Sequence, residues 1–79
     1  MSKTTSKSIT EQRISLLRTE ALSAGDYAMA AICDLAIDGA IDTDDYSTLS
    51  TEEARRVDGM TQHDAVAECV RVVSAADAA

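Results

Sequence analysis

Tyr27-Ala28-Met29-Ala30-Ala31-Ile32-Cys33-Asp34-Leu35-Ala36-Ile37-Asp38, set between Gly25-Asp26 and Gly39, is the stretch that decides the fold. Ten of its twelve residues are apolar, and Asp34 and Asp38 are the exceptions. A helix that is apolar nearly all round must be packed on most of its sides. The stretch therefore reads as the central element of a helical protein, with Tyr27 in the core. Asp26 supplies the side-chain oxygen that an N-cap needs, and Gly39 supplies a residue that tolerates a left-handed stop.

Working outward, Gly25 reads as the C-terminal glycine of a preceding helix. Ile14, Leu17, Ala21 and Ala24 repeat at helical spacing, and Leu16 and Leu22 widen the stripe. Thr10 reads as the N-cap of that helix, with Ile9 and Ile14 as a hydrophobic staple. On the other side, 40–50 is an acidic connection. Ser50 and Glu53 match a capping box that opens a short helix, and Gly59 closes it. Thr61 then caps a last helix, with Val66, Cys69, Val70 and Val73 on one face and Val72 beside them. The expectation is an all-α, compact bundle of about four helices (10–24, 26–38, 51–58 and 61–76) with an acidic loop at 39–50. Residues 1–8 read as a flexible tail and 9–79 as a single helical domain.

The chain has 79 residues, no Pro, no Trp and no Phe. Ile, Leu and Val together make 15 of the 79, while Ala alone contributes 14. Ala favours helix but buries little. A domain of this size buries only about 60% of its unfolded surface, so it has little stability to spare. No apolar run approaches the roughly 20 residues that span a bilayer. Two lysines in 1–8 lead into no apolar segment, so no signal peptide is expected. These readings lead to the expectation of a cytoplasmic chain in which Cys33 and Cys69 stay reduced.

Charge is distributed unevenly. The formal net charge is −7. Residues 1–18 carry Lys3, Lys7, Arg13 and Arg18 against Glu11, a net of +3. Residues 19–54 carry nine acids and no Lys or Arg, a net of −9. Asp34 and Asp38 lie four apart on one helix face, where like charges destabilise by about 0.2–0.5 kcal/mol. Both also lie near the helix C-terminus, where the macrodipole disfavours anions. Local rules broken without a structural gain are expected at functional sites. The spacing, about 6 Å along the axis, suits imitation of successive phosphates. Asp42, Asp44 and Asp45 extend the row into the loop, and Glu52 and Glu53 follow. A solvated acidic face accounts for the same residues equally well.

Other chemistry is poorly served. Asp42, Asp44, Leu49 and Glu53 fall at positions 1, 3, 8 and 12 of a calcium loop, but Tyr46 and Ser47 stand where an oxygen ligand and a glycine are needed. Cys33 and Cys69 fall on apolar faces and read as small buried hydrophobes. There is no Cys-x-x-Cys and a single His, His63, so no metal site is expected. No catalytic dyad or phosphate loop has a recognisable setting, so no enzymatic activity and no cofactor are expected. Tyr46, among acids, reads as an interface anchor or as a ring packed back over the bundle.

Two resemblances follow from particular stretches. Leu49-Ser50-Thr51-Glu52-Glu53-Ala54-Arg55-Arg56-Val57 resembles the short third helix of acyl carrier proteins, which are also small, acidic and four-helical. That family needs an Asp-Ser-Leu motif to carry phosphopantetheine. The nearest match here, Cys33-Asp34-Leu35, lacks the Ser, so carrier function does not transfer. Residues 17–36 (Leu17-Arg18-Thr19-Glu20 through Cys33-Asp34-Leu35-Ala36) with Ala67-Glu68-Cys69-Val70-Arg71-Val72-Val73 look like small acidic proteins of phages and plasmids. Their class resembles anti-CRISPR or anti-restriction inhibitors. That resemblance implies a non-enzymatic inhibitor bound to a basic, nucleic-acid-binding surface of a host defence complex. Asp34, Asp38, Asp42, Asp44, Asp45, Tyr46, Glu52 and Glu53 are the expected contact residues. Direct binding to nucleic acid or membrane is not expected at this charge. The alternative is an assembly module or homodimer that uses apolar helix faces.

Overall fold

The computed structural model describes residues 9–78, and the expected tail at 1–8 lies outside them. The described chain is all α, with five helices and no strand: α1 (Ile9–Ala24), α2 (Tyr27–Asp38), α3 (Thr43–Ser47), α4 (Thr51–Asp58) and α5 (Gln62–Ala78). α2 is the centre, as its composition requires. Every residue from Ala28 to Ala36 is buried, and the helix packs against all four others.

The helix ends follow local chemistry. The Asp26 side chain accepts a hydrogen bond from the Met29 N–H, satisfying one orphan donor of α2. Gly25 and Gly39 both adopt a left-handed backbone, at φ of 78° and 77°, where a Cβ would be strained. The Gly39 N–H closes α2 on the Leu35 carbonyl. Ser50 and Glu53 form a reciprocal capping box at the start of α4. Thr61 and Asp64 make the same exchange at the start of α5: the Asp64 N–H donates to Thr61 Oγ1 and the Thr61 N–H to Asp64 Oδ2.

The core is narrow and rich in small side chains. Ile32, Val57, Cys33 and Cys69 are its largest fully buried members. Ala30, Ala31 and Ala65 are also fully buried, so the helices meet with little side-chain bulk between them. Cys33 and Cys69 touch across the α2–α5 contact, with Sγ atoms 3.8 Å apart. The hydrogen bond shared with Cys69 and burial push the Cys33 thiol far up, so it stays protonated.

Four sequence expectations need correction. α1 begins at Ile9, so Thr10 lies inside its first turn instead of capping it. The staple partner, the Ile9 side chain, lies outside the described residues. Tyr27 is 39% exposed and is not a core residue. It opens α2, before the fully enclosed turns begin. The acidic connection 39–50 is not a simple loop. Asp42 Oδ1 accepts from the Asp44 N–H and starts the one-turn helix α3. Finally, Asp34 is not a solvated acid like Asp38, because it is buried at 5% exposure.

Candidate interaction surface

Arg18 organises the acidic segment. It lies on α1, and its side chain is 33% exposed. Its Nε donates to Asp34 Oδ1 at 2.5 Å, and its Nη2 donates to Asp45 Oδ2 at 2.6 Å. The guanidinium thus spans two carboxylates as a planar fork. The second oxygen of Asp34 accepts the Asp42 backbone N–H at 3.3 Å. One buried carboxylate therefore ties α1 to α2, and α2 to the start of α3.

The two carboxylates are not equivalent. Burial, followed by the hydrogen bond shared with Asp45, pushes Asp34 up from 3.8 to about 6. The interaction with Asp34 and the ion pair with Arg18 hold Asp45 low. The one guanidinium serves both carboxyl groups. The pair is a structural link, and neither carboxylate is open to a partner's basic group.

The exposed acids lie just outside this link. Asp38 and Asp42 line a groove of roughly 320 Å³ with Ser15, Arg18, Thr19, Ile37 and the largely buried Asp34. Asp44 is exposed next to Asp42. Tyr46 is half-exposed on α3, and its hydroxyl donates to Asp58 Oδ1 at 2.8 Å, tethering α3 to the end of α4. Glu52 and Glu53 lie elsewhere. Glu53 accepts the Ser50 N–H at 2.8 Å, which lowers its pKa, and a smaller lowering comes from the Ala28 backbone. Ala28 is in the first turn of α2 and Asp38 is its last residue, so Glu53 marks the opposite end of the central helix. That separation is roughly 15 Å at 1.5 Å per residue.

The structure thus brings Asp38, Asp42 and Asp44 together, with Tyr46 on the same short helix as Asp44. It diverts Asp34 and Asp45 to Arg18 and separates Glu52 and Glu53. Arg18 is the residue that sequence reasoning missed. It stands 16 residues before Asp34 and 27 before Asp45. A division of the chain into a basic and an acidic segment assigns it to the wrong side. The oxygens that a calcium loop would use are engaged in capping, Asp42 on α3 and Glu53 on α4. Among the described residues no group of His, Cys, Asp and Glu could hold a metal ion, and no helix is long and apolar enough to cross a membrane.

Comparison of the chain with protein-family models, with curated proteins and with solved structures gives no match.

Proposed function

We propose that this chain is a non-enzymatic protein-binding module that docks an acidic corner on a basic, nucleic-acid-binding surface of a host protein complex. It would act as an inhibitor of the anti-CRISPR or anti-restriction type. Asp38, Asp42 and Asp44 meet the partner's Lys and Arg side chains, and Tyr46 lies at the edge of the contact. The observation that carries this reading is the arrangement around Arg18. The corner's cation is already engaged by Asp34 and Asp45, and the neighbouring carboxylates Asp38, Asp42 and Asp44 are left exposed. Such a surface attracts cationic partners and speeds association in a salt-dependent way.

The test is a pull-down with tagged full-length chain from bacterial lysate, at low and high salt and with competing DNA or RNA. The expected result is recovery of a nucleic-acid-binding protein that is lost with salt and with competitor. The triple variant D38N/D42N/D44N should lose that recovery while keeping its helicity, since Asn caps a helix about as well as Asp. Undiminished capture by the triple variant at low salt would overturn the proposal. Asp34 and Asp45 are left unchanged in this experiment because they hold Arg18.

A further inference from the structure

The opposite face of α1 carries a different kind of surface. Arg13, Leu16, Leu17 and Glu20 form one wall of a groove of roughly 330 Å³, and Val72 and Val73 of α5 form the other. Arg13 and Val73 also line an adjoining depression with Val70, so the apolar strip is continuous. Leu16 is 61% exposed at its centre and Val70 is 41% exposed. Neither exposure is needed for helix formation, and removing a Leu side chain from water is favourable.

We propose that this groove is where a second copy of the same chain docks, through an antiparallel pairing of α1 with its symmetry mate. The position of the charges carries the argument. Arg13 and Glu20 flank the two leucines, three residues before Leu16 and three after Leu17. A two-fold axis passing between Leu16 and Leu17 sets Arg13 of one copy against Glu20 of the other, twice. The same axis sets Leu16 against Leu17 and lets each Leu16 enter the other copy's groove. A closed two-fold contact needs this kind of self-complementary patch. Arg13 has an interaction within its own chain, and its five N–H donors leave room for a further carboxylate. The charged residues of the groove sum to zero, whereas the chain as a whole carries −7. Self-association here escapes the repulsion that two acidic corners would meet.

This inference does not depend on the acidic-corner reading. The two use different faces of α1, since Ser15 and Arg18 line the acidic groove and Leu16, Leu17 and Glu20 line this one. Sedimentation equilibrium of the full chain, from micromolar to millimolar concentration at moderate and high salt, tests it. The expected result is a concentration-dependent dimer that largely survives salt. Leu16→Glu should weaken it roughly tenfold or more, as the loss of one buried Leu side chain implies, with helicity unchanged, and melting unchanged at concentrations where the wild type is monomeric. Arg13→Glu and Glu20→Arg should each weaken the dimer alone. An equimolar mixture of those two variants should restore it, because the mixed pair regains both opposite-charge contacts. A wild-type chain that stays monomeric throughout would overturn the proposal. So would a dimer that tolerates Leu16→Glu, or a mixture that associates no better than its components.

Discussion

Asp34 and Asp38 sit one turn apart on the same helix and have opposite fates. Asp34 is buried, holds Arg18 and receives a backbone N–H of the next segment. Asp38 is exposed at the end of α2, one residue before the left-handed Gly39. The same residue type, in the same local sequence, is a structural tie in one place and an available charge in the other. The difference comes from α1, which passes over one of the two and brings its own cation. Acidic composition therefore overstates the surface that a partner can use.

The sharpest way to break the comparison is Arg18→Met. It leaves Asp34 buried without its counter-ion and Asp45 beside it. The expected loss of stability is about 3 kcal/mol in urea unfolding at neutral pH, at the low end for a broken buried pair because Arg18 is partly exposed. A loss within the noise would mean that the ion pair merely decorates a packing contact.

Asp34→Asn should cost less, about 1–2 kcal/mol, since Arg18 keeps Asp45 and the Asn oxygen can still accept one hydrogen bond. Carboxyl-carbon NMR sharpens this case without any substitution. Asp34 should titrate near about 6 in the folded chain, against 3.8 ordinarily, and Asp45 below the usual range. The two have opposite consequences for stability. Between 3.8 and about 6 the folded chain keeps a proton on Asp34 that the unfolded chain has released. Its contribution to stability is therefore full below that window and declines as pH rises through it. Asp45 has the reverse sign: its contribution is present above its unfolded value and is lost as pH falls through its lowered folded value. Two carboxyl groups titrating together at the ordinary value would show that the corner is open to water.

Asp38→Asn should have the smallest effect and the opposite sign. Removing an anion from the last turn of α2 relieves its conflict with the helix macrodipole, a gain of about 0.3–1 kcal/mol. A loss as large as that of Asp34→Asn would remove the contrast between the two positions. Asp38 would then be a structural residue as well.

Much of the fold was legible because it rests on short-range chemistry. Asp26 and Gly39 bound α2 within reach of their own side chain or backbone, and the Ser50–Glu53 exchange spans three residues. The nearly unbroken apolar run from Tyr27 to Ile37 leaves α2 little water-facing surface, so its central place follows from composition. Burial of Cys33 and Cys69 follows from their position among apolar neighbours. α3 was less legible. Its cap, Asp42, reads as one more acid in an acidic stretch.

Of the acids expected to form a contact surface, the structure sets Asp38, Asp42 and Asp44 near one corner and engages Asp34 and Asp45 with Arg18. What the amino-acid sequence determined by itself was an all-helical chain, where its helices stop and which of them is wrapped by the rest. These depend on contacts within a few residues and on the balance of apolar to polar side chains. Only the tertiary structure decided which carboxylates are spent and which are free. That choice depends on where α1 packs on α2 and on the reach of Arg18 to Asp45 of α3. A guanidinium 16 residues from one acid and 27 from another leaves no periodic or local mark in the chain.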